Sequence, residues 1–254
     1  MSISCDFKWT GWRSFKLVNR VKECIGIYSF YFEPTDGCAT PLYKAGQVIA
    51  LRAPGHDPKS FVLCGAPNEN YVRLTIRCYD HDNAPMGDMT RYLVRELEIG
   101  QEMEMSAPTG DFVLDHTKET PVVFVCEGIG LVPALGFATE ISTDMPLRPL
   151  HILYSARNSD YFPHREEIKK TVDLLPKGGL GVFFREPRTD DKIGQMYDVL
   201  GDIDVTKIRS VCMDPSADYY LAGGRKFIAD IQEGLLAVRV IPSRIHTMVM
   251  SQEN

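Results

Sequence analysis

The chain has 254 residues, of which 44% are hydrophobic, 24% charged and 10% aromatic. At ~150 residues per domain this fits one large or two modest domains, able to bury a core without metal or disulfide staples. The composition excludes a disordered or collagen-like chain. A formal net charge of −6 argues against a sequence-independent nucleic-acid binder, which needs a basic surface.

The seven cysteines, Cys5, Cys24, Cys38, Cys64, Cys78, Cys126 and Cys212, form no CxxC pair and no clustered metal spacing. Their odd number and scatter, with no apolar run behind the N-terminal basic residues, predict a reducing cytoplasmic setting without a secretory signal. Polar residues break every apolar stretch well before ~18 residues, so no membrane span is predicted.

Short strands separated by Pro, Gly and Asp are predicted in the first half: Phe15–Val21, Ile27–Glu33, Gln47–Arg52, Phe61–Cys64, Tyr71–Cys78 and Glu102–Ser106. They describe a small barrel. Its one good helix, Met89–Leu97, carries apolar residues at 89, 93 and 97 on one face and is expected to cap an opening. From Thr120 the pattern changes. The run Pro121–Cys126 is nearly continuous in apolar residues, as in a strand buried on both faces of a parallel sheet. Further strands are predicted at His151–Ser155, Leu180–Phe184 and Tyr219–Ala222. A helix at Arg165–Leu175 is expected to end at Lys177-Gly178-Gly179, and others to run through Ala134–Ile141 and Phe227–Leu236. This alternation describes a doubly wound α/β domain, with the boundary in the polar stretch Asp115–Thr120 and domains of 1–115 and 116–254.

Three stretches carry candidate chemistry. Gly128-Ile129-Gly130-Leu131-Val132-Pro133 follows a strand and opens a helix, the context in which backbone amides approach a pyrophosphate; it lacks a third glycine, and a plain tight turn is the other reading. Met86-Gly87-Asp88-Met89-Thr90 starts the first-half helix, where free amides and a hydroxyl suit a diphosphate, unless Asp88 or Thr90 only caps the helix. Tyr220-Leu221-Ala222-Gly223-Gly224 runs from a strand toward a helix at the ligand edge of the sheet. Arg225 and Lys226 there oppose the helix dipole, which suits a nearby anion, although surface exposure also explains them. The pairs Glu166/Glu167 and Asp190/Asp191 read as solvated or helix-starting charge. No histidine spacing supports a metal, and no GxSxG elbow is present.

Together, a strand-rich half with a GxxT helix start and a GxGxxP half ending in YLxGG resemble the ferredoxin-NADP reductase superfamily, and within it the reductase module of flavohaemoglobins. The resemblance spans nearly the whole chain, through Trp12-Arg13-Ser14-Phe15, Ala45-Gly46-Gln47, Ser106–Phe112, Tyr154–Asn158 and Arg244-Ile245-His246. It implies a six-stranded antiparallel, Greek-key-like barrel with one capping helix that binds FAD, then an α/β domain that binds NADH or NADPH. No globin domain or ferredoxin cysteine cluster accompanies them, so a stand-alone reductase with a separate electron-acceptor protein or small acceptor is expected.

By this resemblance Lys59, Phe61, Val62, Gly87, Met89 and Thr90 are the FAD-binding candidates, with Met250 where an aromatic often covers the flavin. Gly128, Gly130, Pro133, Ser155, Arg157, Gly223 and Gly224 are the nicotinamide-cofactor candidates. No catalytic side chain is assigned. The family's Arg-x-Tyr-Ser/Thr motif is degenerate here. Lys59 loses the bidentate fork, Phe61 loses a hydroxyl, and Val62 cannot hydrogen-bond the flavin N5. Val132, Ala222-Gly223-Gly224 and Glu127 also depart from the family pattern, and the Glu127 carboxylate is placed to repel a dinucleotide. Two functions follow: an NAD(P)H-dependent flavin oxidoreductase, or a non-redox binding or regulatory protein that uses the reductase cleft for another ligand or partner. Cys64 and Cys126 read as buried, inert thiols. The choice of NADH or NADPH and the oligomeric state have no readable signal.

Overall fold

Alternation of apolar and polar residues in the first half produces six strands: β1 (Trp12–Cys24), β2 (Ile27–Pro34), β3 (Val48–Arg52), β4 (Lys59–Val62), β5 (Val72–Arg77) and β6 (Glu102–Ser106). They pair antiparallel in the order β4-β3-β6-β1-β2-β5. A bridge between Leu63 and Leu74 joins the two edges, and the Cys64 amide donates to the Arg73 carbonyl at 2.9 Å. This closes the barrel. The computed structural model describes residues 9–40, 42–65, 67, 70–78 and 86–250. These divide along the chain into two compact units, with the division between Val113 and Leu114.

The inward residues of the barrel strands, Phe15, Leu17, Phe30, Phe32, Ile49, Leu51, Leu74 and Met105, are fully buried in one core. Each large side chain there contributes ~1.5–3 kcal/mol relative to exposure. Helix α1 (Asp88–Arg95) packs Met89 and Leu93 into the same core, joined by Leu97 just beyond its end. The expected capping helix is therefore held by the barrel interior. Its C-terminal carbonyls are met by Arg20 of β1, whose guanidinium donates to Val94 at 2.8 Å and Leu97 at 3.4 Å, where a cation complements the helix dipole.

The second unit alternates strand and helix. In chain order it comprises β7 (Val122–Glu127), a 3₁₀ turn (Gly128–Gly130), α2 (Leu131–Asp144), β8 (Leu150–Ala156), α3 (Arg165–Asp173) and β9 (Gly178–Phe184). There follow β10 (Val199–Leu200), α4 (Val205–Val211), β11 (Asp218–Gly223), α5 (Arg225–Ala237) and β12 (Ile245–Val249). The sheet is parallel throughout, in the order β10-β9-β8-β7-β11-β12. Val122 through Cys126 are fully buried, as a central strand covered on both faces requires.

Several local readings are corrected. Gly178 and Gly179 do not only end α3; they begin β9, and a Cβ on Gly178 would lie 2.7 Å from the Val172 carbonyl. Elements β10, α4 and β12 were not anticipated as strands or helix. Asp191 is not solvated but 9% exposed, accepting from the Arg188 amide at 2.9 Å and the Ser159 amide at 3.3 Å. The polar stretch 115–120 is bound into the second unit. Arg148 donates to the Asp115 and Thr120 carbonyls, and buried Asp218 accepts from the Thr120 hydroxyl at 2.8 Å. Among the described residues no helix is long and apolar enough to cross a membrane, and no group of His, Cys, Asp and Glu could hold a metal.

Candidate functional sites

In the barrel, the candidate site is the amino end of α1. Gly87 occupies the N-cap position with extended backbone, and among the described residues no side-chain cap bond is made there. The expectation that Asp88 or Thr90 serves as the cap is therefore corrected. Asp88 instead accepts from the His56 ring at 2.5 Å and from Arg91 at 2.5 Å. The His56 hydrogen bond, followed by that of Arg91, holds the Asp88 carboxyl below the ordinary carboxylate range. The Thr90 hydroxyl accepts from Lys59 Nζ at 3.0 Å, which fixes the β4 ammonium beside the first turn of α1 and 5.5 Å from the Phe61 ring centroid. Met89 is 2% exposed, so its side chain belongs to the core. Its backbone amide remains on the uncapped turn. Phe61 and Val62 are partly exposed on β4.

In the second unit, β8, β9 and β10 extend to one side of β7 while β11 and β12 lie on the other. The order reverses between β7 and β11, and the carboxyl ends of such a pair frame the ligand crevice of doubly wound sheets. Gly128, Gly130, Gly223, Gly224 and Ser155 all lie at these carboxyl ends. A Cβ on Gly130 would fall well inside van der Waals distance of the Ala222 carbonyl oxygen, so glycine is required there by strand packing. Pro133 and Val132 are buried in α2. Met250 follows β12, and its amide donates to the Gly223 carbonyl at 2.8 Å.

The crevice holds a carboxylate. Glu127, the last residue of β7, accepts the Gly224 amide at 3.1 Å through Oε1 and lies 3.5 Å from Arg185 Nη1 through Oε2. Gly224 is the N-cap residue of α5, whereas Arg225 and Lys226 are exposed and Lys226 pairs with Asp230 at 2.6 Å, so surface exposure accounts for them. Arg157, exposed at the start of the loop after β8, donates to Glu186 at 2.7 Å and lies over the Tyr161 ring. Burial pushes the Cys126 thiol well above its ordinary value, and Cys64 is buried too. Cys38 is disulfide-bonded, a pairing that cysteine spacing did not disclose.

Residues 15–114 match the family model described as an oxidoreductase FAD-binding domain. The chain is 30% identical over 249 residues to a flavohemoprotein of Chromobacterium violaceum, covering 96% of this chain and 61% of that protein. It is 31% identical to the flavohemoprotein of Bordetella pertussis, with 97% and 62% covered. Residues 15–114 thus carry the signature of an oxidoreductase FAD-binding domain, and nearly the whole chain is similar to flavohemoproteins. The chain spans about three-fifths of these flavohemoprotein relatives, and the resemblance is to their reductase module. Among solved structures, a flavohemoglobin from Malassezia yamatoensis with bound FAD and heme aligns with a TM-score of 0.82 at 26% identity, over 95% of this chain and 60% of that one. The flavohem-like FAD/NAD-binding domain of a nitric oxide dioxygenase from Vibrio cholerae gives a TM-score of 0.82 at 24% identity, over 95% and 100%. The antiparallel barrel and the parallel sheet with helices are the two-domain fold of these structures.

The two candidate sites differ in their fit to the cofactors the superfamily implies. At α1, an uncapped helix start beside an anchored ammonium and Arg91 suits a diphosphate. In the crevice the turn geometry suits one as well, but the Glu127 carboxylate already takes the Gly224 amide. Sequence reasoning singled out Glu127 as a repulsive charge and missed its partners. Arg185 and Glu186 were also missed, although their place directly after β9 put them at the ligand edge.

Proposed function

We propose that the chain is an NAD(P)H-dependent flavin oxidoreductase that passes electrons through FAD to a separate protein or small acceptor. The observation that carries this reading is the uncapped amino end of α1 with Lys59 Nζ held 3.0 Å from the Thr90 hydroxyl, inside the segment that matches the FAD-binding family model. Lys59 and the first-turn amides of α1 take the FAD diphosphate, and Phe61 offers an aromatic face to the flavin region. Gly128, Ser155, Arg157, Gly223 and Gly224 border the nicotinamide cofactor. Bound FAD supplies hydride acceptance and stepwise electron release, chemistry that belongs to the cofactor. The protein aligns it. Val62 offers no hydrogen bond to the flavin, which changes rate or potential by the ~1–3 kcal/mol of one lost bond without preventing binding.

The visible spectrum of the purified protein, with released chromophore quantified after denaturation and the apoprotein titrated with FAD, tests this reading. Near-stoichiometric flavin, or tight uptake of added FAD, is expected. A colourless protein that refuses FAD overturns it in favour of a non-redox binding protein on the reductase fold. The reducing cytoplasmic setting is part of the same proposal and requires that the Cys38 disulfide be open there; a thiol count on freshly lysed cells that finds Cys38 oxidised overturns it.

A further inference from the structure

The crevice between β7 and β11 is bridged by a side chain of the protein itself. Glu127 ends β7, Gly224 follows β11, and 97 residues of sequence separate the two partners of the 3.1 Å bond. Three features hold the carboxylate in place. The Gly224 amide is the N-cap donor of the thirteen-residue helix α5, so the carboxylate sits at the positive end of a helix dipole. Arg185, entering from the end of β9, adds a cation 3.5 Å from its second oxygen. Gly223 leaves the room, since a Cβ there would lie 2.8 Å from Glu127 Cγ. The carboxylate is thus built in, with its side chain 21% exposed. This arrangement is what a bound anion receives at a helix amino end, with the protein's own carboxylate as the anion.

We propose that Glu127 is an internal competitor that sets the affinity for a nicotinamide dinucleotide. The inference rests on the reading that the second unit binds such a cofactor. A dinucleotide carries negative charge on its diphosphate. To reach the donors that border this crevice it must displace Glu127 from Gly224 and Arg185, or bind beside it against repulsion. The apparent affinity is the intrinsic one multiplied by the fraction of molecules in which the crevice is open. Turnover therefore calls for higher concentrations of reduced dinucleotide than an open crevice would. Glu127 acts by excluding the ligand and takes no part in hydride transfer.

The test is anaerobic calorimetric titration of NADH into the holoprotein with its FAD already reduced, so that binding is read without hydride transfer, and into its Glu127→Ala and Glu127→Gln variants in the same state, with thermal melts confirming that each is folded. Glu127→Ala opens the crevice and removes the charge. It is expected to bind NADH at least tenfold more tightly than wild type, each tenfold corresponding to about 1.4 kcal/mol. Glu127→Gln keeps an oxygen that accepts from Gly224 but loses the charge, and is expected to fall between the two. Should Glu127→Ala unfold, tighter binding by Glu127→Gln alone carries the proposal. If wild type binds NADH and neither folded variant binds it more tightly, the competitor role is wrong and the dinucleotide reading stands. If no form binds NADH at millimolar concentration, both fall.

Discussion

Lys59 and Glu127 show how the same residue property acts differently in the two units. Lys59 is held by a hydroxyl and faces an uncapped helix start; Glu127 is held by an amide and fills one. A charge-assisted hydrogen bond is worth ~1.5–3 kcal/mol, so Lys59→Met is expected to weaken FAD binding by about tenfold to a hundredfold. Titration of the apoprotein by flavin fluorescence quenching measures this. Unchanged affinity removes Lys59 from the site. Thr90→Val, which deletes only the anchor, is expected to have the smaller effect. At this scale the sequence was partly legible. That Lys59 keeps a charge and Glu127 introduces one is visible in the string, whereas the Glu127 partner is 97 residues away and depends on the β7–β11 pairing. A separation of 32 residues likewise hid the His56–Asp88 bond, which left Asp88 looking like a cap.

Among elements, the turn from β7 into α2 is fixed by contact with β11. Gly130→Ala drives a methyl group into the Ala222 carbonyl, and because that atom is backbone in a paired strand it cannot rotate aside. Overpacking of this kind costs ~1–3 kcal/mol, so a lowered thermal midpoint is expected together with loss of NADH binding. An unchanged midpoint would mean that the turn relaxes away from β11. Elements with a strong period were readable: the six barrel strands, α1, α2, α3, α5 and the central parallel strands. Those missed have weak signals for physical reasons. Strand β10 contributes only two residues, and β12 is a partly exposed edge whose His246 and Thr247 break any apolar run. Helix α4 is seven residues long, yet Asp204 caps it by accepting from the Lys207 amide at 2.9 Å, a local signature the sequence did contain.

For the whole molecule, acid is expected to act on the second unit while the pH is still above the carboxylate range. Burial lowers the pKa of His151 in β8 and of His246 in β12, the latter against a weaker opposing pull from Asp218. A base with a depressed folded pKa contributes its stability fully above the ordinary value of 6.5, and loses it as pH falls through the folded value because the unfolded chain protonates first. Thermal midpoints measured from pH 7.5 down to 5 are expected to decline below about 6.5. His246→Phe, which preserves the ring stack on Tyr220, should flatten that decline in combination with His151→Phe. A decline of the same steepness in the double variant would place its origin elsewhere. The division into a barrel and a doubly wound sheet was legible because hydrophobic period changes near Thr120. That the polar stretch belongs to the second unit was not, since its ties run to Arg148 and Asp218.

Closure of the barrel has a consequence for amide hydrogen exchange. Among the described residues the seam is joined by the Leu63–Leu74 bridge, the Cys64 amide and Arg73 Nε, which donates to the Cys64 carbonyl at 3.5 Å, whereas β1 is paired along both of its sides. Local opening follows the weakest cooperative unit, so the Cys64 amide is expected to take up deuterium by a route that leaves the β1 amides protected. Strand β4, only four residues long, leads directly into that seam and carries Lys59 and Phe61. Deuterium uptake at Cys64 therefore counts how often the proposed flavin-facing edge of the barrel comes loose, and slowing of that uptake by FAD would register occupancy without any optical signal from the cofactor.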